Sequence, residues 1–243
     1  MTSARPRALI LIAVTLIAAL VLGIALHASR PKIERAKPPA ARHTLLLLTS
    51  LPLVFGEGFD LSSAGSPALK ALQTRYRVAP ISVSSPGELA HGRLLLMAHP
   101  RAQPAEDLVA LDAWVRAGGR VLLLADPMLE WPSQRPLGDP TALPPMFMDT
   151  GLLGHWGLRL DAPDRRGPVL RSLAGYRILT PSPGRLSGKC SISADALVAD
   201  CQVGRGRAVV VADADFLDAG KLGPEARNNL DALLRELALL EQK

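Results

Sequence analysis

"GGRVLLLADPMLEW", Gly118 to Trp131, sets the fold class. The glycine pair stops whatever precedes it, and "RVLLLA" runs apolar without alternation, as expected of a central strand covered on both faces. Asp126, with Pro127 behind it, marks where the chain leaves that strand. Upstream, "PAEDLVALDAWVRA" predicts a helix from Pro104 to Ala117. Pro104 suits the first helical position, Glu106 and Asp107 complement the dipole at the amino end, and Leu108, Leu111 and Val115 share one face. That face must bury against a sheet, and the following strand supplies it.

Working outward, "TLLLLTS", "SPALKALQTRY", "RVAPISV" and "GRLLLMAHP" continue the alternation of short apolar runs with helical patterns. Strand, helix, strand in that order predicts an α/β domain, residues 44–243, with a parallel sheet between helical layers. Past Pro127 the chain turns proline-rich, "PMLEWPSQRPLGDPTALPP", and this long loop is either a functional rim or a cover over the sheet edge. A helix is predicted near Met146 to Trp156. Short strands follow at "PVLRSL", "YRILTP" and "ALVADCQV", within an otherwise irregular stretch from Leu158 to Val203. "GRGRAVVVADADFLD" repeats the opening theme: a glycine turn, a buried strand Ala208 to Ala212, then a loop with three aspartates. The last predicted helix, Pro224 to Leu240, is amphipathic through Leu230, Leu233, Leu234, Leu237 and Leu240.

Charge is distributed unevenly. The 243 residues carry 28 basic and 22 acidic side chains, and seven of the basic ones but only Glu34 among the acids fall within residues 1–43. The body therefore balances at 21 against 21. A neutral body with few aromatics has neither the electrostatic footprint nor the stacking platform for nucleic acid. The basic leader flanks Ala8 to Leu26, an uncharged run that would span about 28 Å as a helix, enough to cross a bilayer. Residues 1–28 read as an uncleaved membrane anchor rather than a cleaved signal, because Leu26-His27-Ala28 lacks the small residue a cleavage site prefers. Residues 29–43 read as a basic, proline-containing linker.

No phosphate-binding glycine loop, dinucleotide fingerprint, HExxH or paired CxxC occurs, so no cofactor or metal is implied. Cys190 and Cys201 sit in no nucleophile elbow, and their preferred reading is a disulfide joining neighbouring strands. Ligands of parallel α/β sheets bind beyond the carboxyl ends of the strands, where this chain places Thr49, Ser50, His99, Asp126, Asp213 and Asp215. His99 with the three carboxylates has the composition of a divalent-metal site, and one acid has the chemistry of a general base. The competing reading, preferred here, is structural: aspartates recur in strand-to-loop turns because their oxygens accept backbone N–H groups. Trp114, Trp131 and Trp156 read as packing residues.

Two blocks, "LLLMAHPRAQPAEDLVALDAWVRAGGRVLLLADP" and "VGRGRAVVVADADFL", resemble the amidotransferase-like domain of membrane-anchored auxiliary proteins of ABC transporters, of the gliding-motility GldG type. The resemblance implies a flavodoxin-like, class I amidotransferase-like three-layer sandwich, tethered by one transmembrane helix of the inner membrane and facing the periplasm. True amidotransferases carry a cysteine nucleophile that this sequence does not match, so the resemblance implies the fold without its chemistry. The expected function is a non-catalytic binding or scaffold module of an envelope transport or assembly system, with transporter subunits as partners. The alternative is an envelope hydrolase or small-ligand sensor working at the acidic edge. Solvated aspartates bonded to loop N–H groups would favour the first, and a buried carboxylate cluster with raised pKa the second. Orientation is contested. Five basic residues after the apolar run against two before it favour a cytoplasmic body, whereas the resemblance and the cysteine pair favour an external one. The expectation is a single pass with the amino terminus inside and the domain in the periplasm.

Overall fold

The computed structural model describes residues 42–55, 65–133, 135–136, 139 and 141–242. The chain divides after Ala41, and the α/β domain is the compact unit Arg42–Lys243. The expected anchor, and all of the linker except Arg42 and His43, lie outside the described residues.

The first half alternates as the pattern predicts: β1 Thr44–Thr49, α1 Pro67–Arg75, β2 Arg77–Ile81, α2 Pro86–Leu89, β3 Leu94–Ala98, α3 Ala105–Arg116 and β4 Arg120–Leu124. Then come α4 Leu152–His155, β5 Leu158–Asp161, β6 Pro168–Leu173, β7 Tyr176–Pro181, β8 Arg185–Gly188, β9 Ser191–Ile192, β10 Val198–Val203 and β11 Gly206–Val211. Short helical turns, including α5 Ala219–Leu222, lead to the closing helix α6 Asn229–Gln242.

Seven strands form one sheet in the order β2-β1-β3-β4-β11-β10-β9. The first five are parallel; β10 and β9 add antiparallel at one edge. The expectation of a parallel sheet is corrected there. Only Gly204 and Arg205 separate β10 from β11, and so short a link makes a hairpin, since a parallel return needs a long crossover. β5 pairs with β8, and β6 with β7, as small separate ribbons.

Alternate residues of the central strands feed two apolar layers. Leu45, Leu47, Leu96, Leu122 and Val209 pack on one face with Leu72 of α1, Phe216, and Leu233 and Leu237 of α6. Leu46, Leu95, Leu123 and Val210 pack on the other with Leu89 of α2, Leu111 and Val115 of α3, and Leu153 of α4. Burial of each such side chain contributes about 1.5–3 kcal/mol, which is why the strands carry no alternation of polarity.

Two predicted helices are shorter than expected. Of Met146 to Trp156 only Leu152–His155 is helical. Gly151 is left-handed at φ 108°, Asp149 accepts the Gly151 and Leu153 N–H groups, and Phe147 spends its own N–H on the Asp126 carbonyl. The stretch before Gly151 thus serves the loop. Of Pro224 to Leu240, the first three residues form a 3-10 turn and the α-helix starts at Asn229.

Candidate functional site

The two sequence blocks meet along β4 and β11, and each end of that pair is fastened differently. At the amino end the fastening is glycine. Gly118 takes φ 110°, a conformation open to glycine, and a Cβ on Gly119 would lie 2.3 Å from the Trp114 ring. A Cβ on Gly206 would lie 2.0 Å from the Val115 carbonyl oxygen. Absence of side chains at both positions lets the end of α3 lie directly on the two strands. Backbone bonds from Arg205 N–H to Arg116 C=O (3.0 Å) and from Arg207 N–H to Gly119 C=O (3.2 Å) close the join.

At the carboxyl end the fastening is aspartate. Asp126 and Asp213 each lie two residues beyond the paired Leu124 and Val211, so neighbouring strands deliver them side by side. Asp126 is 0% exposed; its Oδ1 accepts the Met128 N–H at 2.8 Å and its Oδ2 the Ala214 N–H at 2.9 Å. Asp213 accepts both the Thr180 hydroxyl (2.6 Å) and the Phe216 N–H (3.1 Å) on Oδ1, while its Oδ2 is buried without a partner. Asp215 accepts the Glu130 N–H at 2.8 Å, and Glu130 in turn accepts the Ser182 hydroxyl. Asn229 of α6 completes the frame: it accepts the Leu179 N–H and donates to the Leu179 and Phe216 carbonyls.

Burial sets the protonation of the three acids. It pushes Asp126 up to about 6, against the pull of the N–H groups it accepts. Asp215 is pushed up to about 8, by burial first and then by the Asp126 charge. Asp213 rises well above the ordinary carboxylate range for the same two reasons. Of the three, Asp126 collects the most backbone donors and is raised the least, so it gives up its proton before Asp215.

The other sequence candidates collect at a different place. Thr49 donates to the Ala98 carbonyl at 2.7 Å and accepts the Leu51 N–H, and Ser50 donates to the His99 carbonyl. His99, fully buried, adopts φ 46°, an uncommon conformation for a residue with a side chain. Its Nε2 lies 2.9 Å from the Pro144 carbonyl oxygen, an acceptor, so the proton sits on Nε2. Burial pushes its pKa down and keeps it neutral. These residues stand at the ends of β1 and β3, where the chain order of the parallel strands reverses and ligands of such sheets ordinarily bind. The structure does not bring His99 onto the carboxylates: among the described residues, no group of three or more His, Cys, Asp or Glu is arranged to hold a metal ion.

The proline-rich loop covers both places. Leu129 N–H bonds to Pro145 C=O at 3.0 Å, Phe147 N–H to Asp126 C=O at 2.6 Å, and Arg101 donates to the Ala142 carbonyl at 2.7 Å. Sequence reasoning missed Thr180, Ser182, Glu130 and Asn229 as members of the frame. Thr180 ends a strand and Asn229 starts a helix, positions with ordinary local explanations, and only tertiary packing makes them partners of Asp213 and Phe216.

Two features distinguished the competing readings, and the structure divides them. The acids are buried with raised pKa, yet both oxygens of Asp126 and one each of Asp213 and Asp215 are spent on loop N–H groups and on Thr180. The bonding pattern carries more weight, because a nucleophile or base must present a free oxygen to a substrate, whereas both Asp126 oxygens accept N–H groups and the unpartnered Asp213 Oδ2 is sealed from solvent. Elsewhere, Cys190 and Cys201 are disulfide-bonded with Cα atoms 4.9 Å apart, across the β9–β10 edge. Trp156 is 7% exposed and donates its Nε1–H to Asp112; Trp114 and Trp131 are half-buried against the two layers.

Among solved structures the chain is similar to an exo-β-1,4-mannosidase from Opitutaceae bacterium strain TAV5, at 14% identity and TM-score 0.52, over 82% of this chain and 36% of that one. It is also similar to a cytoplasmic protein from Salmonella typhimurium, at 10% identity and TM-score 0.52, over 81% of this chain and 98% of that one. At such identities the likeness is one of fold. The chain spans about a third of the length of the mannosidase it matches. No curated protein matches it. The family described as an "ABC-type uncharacterized transport system" matches residues 42–163, half of the chain. Its span takes in β1 to β5, including the glycine join, Asp126 and the loop above it, and the chain belongs to this family of ABC-transporter auxiliary proteins.

Proposed function

We propose that the protein is a non-catalytic binding or scaffold module of a bacterial envelope transport system, tethered through Ala8 to Leu26 with its α/β domain in the periplasm. Family membership supports an auxiliary role in transport. The observation that carries the non-catalytic reading is the spent state of the acids: Asp126 holds the Met128 and Ala214 N–H groups and Asp215 holds that of Glu130, so the carboxyl edge serves to fasten its own cover. The strand order β2-β1-β3-β4-β11 supports the flavodoxin-like, class I amidotransferase-like reading of the fold. The Cys190–Cys201 bond supports an oxidising compartment. Among the described residues no helix is long and apolar enough to cross a membrane, and the proposed anchor precedes them.

The test is isolation of the full chain from membranes in mild detergent, followed by identification of the proteins that accompany it. Transporter subunits recovered in stoichiometric amount are the expected result. Recovery of the chain alone, with hydrolytic activity that Asp213→Asn abolishes, would replace the scaffold by the hydrolase.

A further inference from the structure

Where β6 faces the start of β8, beside the Ser182–Glu130 contact, lies a cleft of about 310 Å³. Its lining includes Arg165, Arg166, Arg171 and Arg185, with Asp164 as the acid. We propose that this cleft binds a phosphate-bearing ligand. The inference does not rest on the scaffold reading, since it is argued from arginines that hold none of the three acids; the two places share Ser182, which bonds both Gly167 and Glu130.

Four guanidinium groups against one carboxylate make a local excess of positive charge in a domain that balances overall at 21 against 21. Assembling them costs repulsion, of which the Asp164–Arg185 pair offsets a part. Asp164 engages Arg185 at 3.0 Å, but both side chains are largely exposed, and such a pair exchanges readily for another anion. Arg165 and Arg166 are exposed and have no acidic partner among the described residues. Arg171 is half-buried; its Nε is buried without a hydrogen-bond partner, and its one bond is a long contact (3.4 Å) to the Leu170 carbonyl. Apart from that contact its terminal nitrogens have no partner among the described residues to give up to an entering acceptor.

The frame around the arginines is rigid. Ser182 N–H bonds to Gly167 C=O and Gly167 N–H to Ser182 Oγ, both at 3.0 Å, with Gly167 at φ 108° and Ser182 at φ 47°. Pro168 and Pro183 flank this double bond and line the cleft. A non-glycine residue held at positive φ persists only where its surroundings fix it. The cleft is thus built before any ligand arrives, and planar guanidinium forks are the side chains that match phosphate oxygens two at a time. Its volume is at the small end for ligand sites and suits a single phosphate group.

That phosphate has two sources, free or carried on a lipid headgroup. Arg166 and Gly167 also line a neighbouring cleft of about 560 Å³ whose wall includes Met128, Leu129, Pro145 and Met146, where an apolar tail would lie. Titration calorimetry of the full chain in a neutral detergent at fixed ionic strength, with inorganic phosphate and with short-chain phosphatidylglycerol as probes, separates the two. Saturable binding is expected, weakened about ten-fold or more in Arg171→Gln and in the double variant Arg165→Gln, Arg166→Gln, and unchanged in Arg205→Gln at the far end of β11. The exposed double variant tests the idea even if Arg171→Gln fails to fold. Tighter binding of the lipid than of phosphate assigns the headgroup, and equal or weaker binding assigns the free ion. Absence of saturable binding by both probes, or binding that neither variant weakens, overturns the proposal.

Discussion

Replacing Asp126 and Asp213 separately by asparagine separates a fastening residue from its neighbour, because the two carboxyl groups use their oxygens differently. Asp126 accepts one N–H on each oxygen, so an amide can serve only one, leaving a buried N–H against an NH2 group. That costs about 1–3 kcal/mol. Asp213 accepts both of its donors on Oδ1, so an amide oxygen there keeps both and the NH2 takes the unpartnered position. pH adds a second axis. Asp126 is raised to about 6, so the folded state holds its proton more tightly than the unfolded chain. The ionisation penalty is absent below about pH 4 and complete once pH has passed the folded value, where a rise of about two units amounts to ~3 kcal/mol. Asp126→Asn never ionises and escapes it. Urea denaturation of the Arg42–Lys243 unit followed by tryptophan fluorescence should therefore show Asp126→Asn less stable than the parent by ~1–3 kcal/mol at pH 5 and near parity at pH 8. Asp213→Asn should stay within about 1 kcal/mol of the parent at pH 5. A larger loss from Asp213→Asn than from Asp126→Asn, or an Asp126→Asn deficit that grows with pH, would refute the reasoning.

The parent itself should lose stability as pH rises from 5 to 8.5, since Asp126 and then Asp215, raised to about 6 and about 8, give up protons that the folded state prefers to keep; a flat or rising midpoint in urea would contradict this. Gly206→Ala should cost about 1–3 kcal/mol or prevent folding, because its Cβ would meet the Val115 carbonyl at 2.0 Å, whereas Gly87→Ala, with open space around its Cβ, should leave the thermal midpoint nearly unchanged. Reduction of the Cys190–Cys201 bond, which closes an 11-residue separation, should destabilise the domain by about 3 kcal/mol, read as a lower urea midpoint in the presence of reductant. A reporter fused after Lys243 should be active only when exported.

Much of this architecture is legible in the sequence because it is locally encoded. "RVLLL" and "RAVVV" are short apolar runs set off by glycines and form strands, and the ribbon strands "PVLRSL" and "YRILTP" occupy the predicted positions. The glycines of "GGR" and "GRGR" read locally as turns; their reason is tertiary, since the amino ends of β4 and β11 leave no room beside Trp114 and Val115. What sequence periodicity does not carry is pairing across distance. Met146 to Thr150 has a helical look, but Asp126, twenty residues earlier, claims the Phe147 N–H. Asp126, Asp213 and Asp215 are recognisable as the residues at strand ends, yet which oxygens they spend depends on a loop and on Thr180 and Glu130 arriving from elsewhere. The arginine cleft is hidden for the same reason: Arg165 and Arg166 carry no local signal, and only the fold sets Arg171 of β6 and Arg185 of β8 beside them.

The central claim is that the acidic frame fastens the loop and performs no chemistry. It is tested most directly by restoring the Asp213→Asn chain to cells that lack the protein and measuring transport-system function alongside its abundance in the membrane. The account predicts function equal to that of the parent chain at equal abundance, because the substitution keeps both Oδ1 bonds and removes only an ionisable group. Loss of function at unchanged abundance, with the same proteins still co-purifying, would identify Asp213 as a reacting group and contradict it.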